Sequence, residues 1–112
     1  MHEMAIAQGI LDIALDYGKR EQTQKIREIG LLLGEMSGVV RESLEFSFAM
    51  LSCGTMAEGA VLNIENVPLV GRCDKCHEEF HIEKYNFLCP KCKMPLAILS
   101  GREMQVKYLE VD

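Results

Sequence analysis

Two stretches of helical periodicity, three short apolar strands and a doubled Cys-x2-Cys pair near the end predict an α+β fold for this 112-residue chain. Two helices pack on one face of a three-stranded sheet, and a zinc-ribbon-like module is inserted before the last strand.

The first helix is read over Met4 to about Lys19. Met4, Ala7, Leu11 and Ala14 form one apolar stripe, and Ile6, Ile10, Ile13 and Tyr17 lie beside it. Gly18 is the expected terminator. Lys25 to Leu33 is short and rich in Ile and Leu, and reads as a strand. Gly34, Ser37 and Gly38 make a loop, with Ser37 as the expected N-cap of a second helix. That helix carries Val40, Leu44, Phe48 and Leu51 at helical spacing up to Cys53, and Gly54 stops it. Ala60, Leu62 and Ile64 alternate toward Pro68, and Met104, Val106 and Tyr108 alternate with polar residues near the end. Both read as strands. The expected division is residues 1–70 with 101–112 as one domain and 71–100 as a metal-binding one.

Hydrophobic residues make up 48% of the chain and aromatics 6%, with no Trp, so the core must be mostly aliphatic. The formal net charge of -5 gives no general attraction to nucleic acid phosphates. Met1-His2-Glu3-Met4 lacks the basic and apolar regions of a secretory signal, and the apolar runs, such as Ile29 to Leu33, are too short to span a membrane. A cytoplasmic protein is expected, with its thiols reduced.

Five cysteines, four of them in Cys-x2-Cys pairs, point to metal in such a compartment. Two residues between Cys73 and Cys76, and between Cys89 and Cys92, let one tight turn present two thiolates to one ion. The twelve residues between the pairs allow a hairpin to bring them together. Asp74-Lys75 and Pro90-Lys91 suit such turns. Four thiolates close a tetrahedral zinc shell, so the expected role is structural, and metal must supply most of the folding free energy of so small a module. Cys73 to His77 matches the c-type haem pattern, but that attachment occurs outside the cytosol and leaves the second pair unexplained. Iron in a rubredoxin-like site stays chemically open. A redox dithiol lacks the βαβ setting. His77 and His81 are read as solvated residues on a hairpin, against a role supporting or replacing a ligand. Cys53 is read as a small buried hydrophobe.

At the amino terminus, a free amine, backbone nitrogens and the imidazole of His2 can close small chelate rings. Such nitrogen donors favour square-planar nickel(II) or copper(II), although a histidine at position 2 is by itself usually incidental.

The opening Met1-His2-Glu3-Met4, the run Ile29-Gly30-Leu31-Leu32-Leu33-Gly34-Glu35-Met36-Ser37-Gly38-Val39, the segment Glu42-Ser43-Leu44-Glu45-Phe46-Ser47-Phe48 and the late double Cys-x2-Cys module together resemble the HypA/HybF family of nickel metallochaperones. The resemblance implies a nickel-binding α/β domain plus a zinc domain. It implies nickel held through His2 and the nitrogens of Met1, His2 and Glu3. It also implies delivery to the large subunit of nickel–iron hydrogenase with a HypB-type GTPase, and service to urease in some relatives. Some relatives recruit a further nickel ligand, either a histidine late in the zinc domain or an acidic residue early in the second helix. Here Met94 to Ser100 holds no histidine and Val40 begins the second helix, which leaves Glu42 and His77 as substitutes.

The expectation is therefore a delivery protein and not an enzyme, since no nucleophile–base arrangement or phosphate-cradling loop is visible. The runner-up is a zinc-ribbon adaptor for protein or nucleic acid without a nickel role. Arg72, Lys75, Lys84, Lys91 and Lys93 nearly balance Asp74, Glu78, Glu79 and Glu83, whereas a nucleic-acid ribbon should be plainly basic. A zinc hydrolase fails on the full thiolate shell.

Overall fold

A computed structural model of the chain describes residues 3–112. The order is α1 (Glu3–Arg20), β1 (Ile26–Gly34), a 3-10 turn (Glu35–Ser37), α2 (Arg41–Ser52), β2 (Val61–Val67), β3 (Val70–Arg72), β4 (Glu79–His81), β5 (Ala97–Ser100) and β6 (Met104–Val111). The strands form two sheets of three, ordered β2-β1-β6 and β4-β3-β5. The two predicted helices and the three predicted strands of the larger sheet are all present.

In the first sheet β1 is central, parallel to β2 and antiparallel to β6. Its inward residues Ile29, Leu31 and Leu33 meet Leu62 and Ile64 of β2, Ile6, Ala7, Ile10, Leu11 and Ala14 of α1, and Leu44 and Phe48 of α2 in one core. A central strand flanked by apolar partners on one face only needs this alternation, and the helices cover that face.

Three expectations change on contact with the structure. Gly18 does not end α1, which runs on to Arg20. It is buried inside the helix because a Cβ there would lie 2.6 Å from Met56 Sδ. Ser37 does not cap α2. It sits in the 3-10 turn, its Oγ accepting the Val39 N–H at 3.3 Å, while Val40 takes the cap position without a side-chain bond. Tyr108 does not share a face with Val106. The register pairs Leu31 with Val106 but Gly30 with Tyr108, so Lys107 is the extra residue of a bulge. Beyond it the alternation flips: Leu109 packs on the core, and the Tyr108 ring lies over Gly30 on the opposite face, where any Cβ would run into it.

The second sheet is smaller. β3 pairs antiparallel with both β4 and β5, and Leu88 and Pro95 form an isolated bridge beyond it. The chain crosses between the sheets twice, before β3 and after β5. Gly101, at φ +107, makes the second crossing, where a side chain would strike the backbone of Leu69. Among the described residues no helix is long and apolar enough to cross a membrane.

Candidate metal centre

The second sheet carries two cysteine turns built alike. In the first, the Cys76 N–H points at Cys73 Sγ at 3.4 Å, and the His77 N–H closes the turn onto the Cys73 carbonyl at 2.7 Å. In the second, the Lys93 N–H closes onto the Cys89 carbonyl at 2.9 Å. The closing residue is left-handed in both, His77 at φ 59 and Lys93 at φ 64. Each turn is pinned at its base by a backbone bond, Cys73 N–H to Glu78 O at 3.0 Å and Cys89 N–H to Met94 O at 2.8 Å. This equivalence gives His77 a backbone task that Lys93 performs equally well. Its ring is exposed, with Nδ1 3.5 Å from the Arg72 guanidinium.

The turns face each other. All four Sγ atoms lie within 4.8 Å of one another, with Cys73–Cys92 at 3.5 Å and Cys76–Cys89 at 3.8 Å. Thiolates at ~2.3 Å from a tetrahedral zinc ion stand about 3.8 Å apart, close to the two nearest Sγ pairs here, so the cluster suits zinc. Cys73 and Cys89 are fully buried, and Cys76 and Cys92 are half-buried. A complete sulfur shell leaves no position for water or substrate, which makes the centre structural.

The electrostatics favour a cation. The N–H groups of Cys92 and then Lys91 draw the Cys89 thiol down to about 6, despite burial. Its neighbour moves the other way: hydrogen bonding to Cys92, then burial, pushes the Cys76 thiol up to about 12. Crowded thiols cannot all ionise against one another, and a divalent ion removes that conflict. Lys91 Nζ, bonded to Glu78 at 2.6 Å, adds a positive charge beside Cys76 and Cys89.

Met1 and His2 lie outside the described residues. Glu3 opens α1, and with Met4 it lines a cleft of about 520 Å³ completed by Glu42, Ser43, Phe46 and Ser47 from the start of α2. The fold thus brings Glu42 to the same cleft as Glu3. His77 lies in the cysteine turn between β3 and β4 and does not line it. Cys53 is exposed, against expectation, because α2 ends at Ser52 and it is Ser52 that turns inward, 1% exposed. His81 is not simply solvated: it bonds Glu35 in the 3-10 turn at 2.8 Å. No sequence spacing announces that pair, which is separated by 46 residues.

The sequence pattern of the family described as hydrogenase/urease nickel incorporation, metallochaperone, hypA matches residues 1–111. The hydrogenase maturation factor HypA of Geobacter sp. strain M21 is 43% identical over 113 aligned positions, covering 100% of both chains. That of Chlorobaculum parvum is 38% identical with the same coverage. The solution structure of the nickel metallochaperone HypA from Helicobacter pylori superposes with a TM-score of 0.69 at 23% identity, covering 99% of this chain and 97% of that one, and shows the same fold. On the whole-chain match and these identities, the chain belongs to the HypA family of nickel metallochaperones in hydrogenase maturation.

Proposed function

We propose that the chain binds nickel(II) at its amino terminus through Met1, His2 and Glu3 and hands it to the large subunit of nickel–iron hydrogenase, working with a HypB-type GTPase. It catalyses no reaction. A role toward urease is the second delivery route that the family description supports. Cys73, Cys76, Cys89 and Cys92 hold a structural zinc ion, and residues 71–100 form a zinc domain apart from a nickel domain of residues 1–70 and 101–112.

The observation that carries this reading is the family match from residue 1 to 111, which includes the Met1-His2-Glu3 opening as well as the cysteine pairs. The geometry supports it. The cleft beside Glu3 is open and flanked by a second carboxylate, Glu42, so an ion there is accessible to an acceptor. Nitrogen donors on a chain end hold an ion without caging it. Linked donors bind together because each further ring closes intramolecularly.

Nickel titrated calorimetrically into the native chain, into His2→Ala and into a form extended before Met1 tests the site. Binding is expected in the first and lost in the second, with zinc retained. It weakens in the third because donor spacing changes. Affinity falls with pH, since backbone amides must lose protons and imidazole protonates near ~6.5. Equal affinity in all three forms removes the nickel reading of the terminus.

A further inference from the structure

Of the two histidines near the cysteine turns, His81 alone reaches out of its sheet. It lies on β4, and its Nε2 donates to Glu35 Oε1 at 2.8 Å. Glu35 opens the 3-10 turn at the end of β1. The same Oε1 accepts the backbone N–H of Leu69 at 2.8 Å, in the first crossing between the sheets. One carboxylate oxygen therefore ties together a turn of the first sheet, a crossing segment and an edge strand of the second. On the far side of the ring, Nδ1 faces Glu83 Oε1 at 3.6 Å. A neutral imidazole carries one N–H and can serve one of these carboxylates, whereas the imidazolium serves both.

Besides the bonds of Glu35, the Met36 N–H bonds the Gly101 carbonyl at 2.9 Å, and two short crossings, residues 68–69 and 101–103, join the sheets. The hydrophobic core cluster includes no residue of β3, β4 or β5. The molecule is elongated, 55 × 24 × 16 Å. Without a large apolar interface, relative motion of two such units is the default, and a small directional contact can decide their orientation.

We propose that Glu35 and His81 form a latch that holds the cysteine-bearing sheet in a fixed orientation against the 3-10 turn and loosens as His81 loses its proton. The latch borders the cleft of the proposed nickel site as well, because only Gly38, Val39 and Val40 separate the turn Glu35–Ser37 from α2, whose first turn lines that cleft with Glu3.

The charged groups facing His81 among the described residues are Glu35 and Glu83, and its partner on β3 is the uncharged Val70. Glu35 first, then Glu83, raises the imidazole above its ordinary range. The Leu69 N–H first, then His81, lowers the Glu35 carboxyl. The histidine contribution is complete below its ordinary pKa of ~6.5 and is lost as pH rises through the raised value. The Glu35 contribution is complete above ~4.3 and is lost as pH falls through the lowered value. The latch is therefore tight in mildly acidic solution and loosens toward alkaline pH. Both side chains are nearly half exposed, 46% and 43%, so the latch biases orientation and adds little to global stability.

Residual dipolar couplings on the zinc-loaded full chain test this. Near pH ~5.5 one alignment tensor should fit both sheets of the native protein, and near pH ~8 two should be needed. His81→Ala should need two tensors at both pH values with zinc content unchanged. His81→Gln retains an N–H donor for Glu35 but cannot titrate, so its couplings should be the same at both. One tensor for the native chain and His81→Ala under both conditions overturns the proposal, as does a native-like pH response surviving in His81→Gln.

Discussion

The helix-backed sheet buries Ile26, Ile29, Leu44, Phe48 and the inner stripe of α1 in one continuous core, whereas the sheet of β3, β4 and β5 buries Cys73, Cys89, Leu69 and Ile82. Both have three strands, yet they are held by different chemistry. In the first, aliphatic area removed from water offsets chain entropy, at roughly 25 cal/mol per Å². In the second, half of the buried side chains are thiols, which contribute little area and repel one another as they ionise. Its order is expected to come from an ion that they share. The two sheets of one chain thus rest on different chemistry, apolar burial in the first and a thiol cluster in the second.

The sharpest break of that contrast is removal of the ion. Cys73→Ser, Cys89→Ser or a strong chelator should collapse amide dispersion across residues 71–100 while signals from α1, α2, β1 and β2 stay in place. The free energy at stake is large, about 10–16 kcal/mol for structural zinc in small modules. Acidification should act in the same direction, because each thiolate must be reprotonated to leave the ion. Nitrogen-edited spectra with and without chelator are the check. Retained dispersion in residues 71–100 after zinc loss would show that the second sheet has a core of its own.

The reverse experiment attacks the core. Phe48 is 2% exposed and lies in the middle of the cluster. Phe48→Ala should cost about 3–5 kcal/mol, read from urea unfolding of the zinc-loaded protein. Zinc stoichiometry should stay at the native value under native conditions, since no ligand turn touches the cluster. Loss of zinc from the folded variant would mean that the two units are energetically coupled.

A smaller effect is expected at the seam. Gly101 combines φ +107 with a Cβ direction blocked by the Leu69 backbone. Gly101→Ala should impose strain of about 1–3 kcal/mol and lower the melting temperature by several degrees, with both the core and the zinc count preserved. A melting temperature at or above the native value would place the strain elsewhere.

These contrasts were partly legible in the sequence. Helical spacing identified α1 and α2 and alternation identified β2 and β6, because burial on one face imposes those periods, while β1 was readable from its short run of Ile and Leu. The four cysteines identified the second unit, because zinc geometry imposes the Cys-x2-Cys spacing. What escaped was set by contacts distant in sequence. Gly18 resembles a helix stop until Met56 is placed against it. Cys53 resembles an inward residue until the helix ends one position earlier. The Glu35–His81 bond joins a turn to a strand that only the crossing geometry brings together. The bulge at Lys107 is the clearest case, since alternation read along one strand cannot show that its partner is one residue out of step.

That bulge supports the smallest of the expected effects. It carries Tyr108 onto the open face of the first sheet, where the ring covers Gly30 and the hydroxyl donates to Glu28 and accepts from Asn63 Nδ2 at 2.7 Å. Two contributions are therefore separable. Tyr108→Phe keeps the ring over Gly30 and removes only the hydroxyl, whose partners are at the surface and regain water. Its melting temperature should stay within about 2 °C of native. Tyr108→Ala also removes the ring, leaving the Gly30 backbone uncovered, and should lose distinctly more. The Glu28 carboxylate raises the phenol above its ordinary pKa. A raised group contributes fully below its unfolded pKa, here ~10, and its contribution is lost as pH rises through the folded value. The native and Tyr108→Phe proteins should thus differ by a constant amount across neutral pH and converge only in strong alkali. If Tyr108→Phe loses as much as Tyr108→Ala, the hydroxyl bonds and not the ring hold this face, and the first sheet depends on polar contacts more than its aliphatic core suggests.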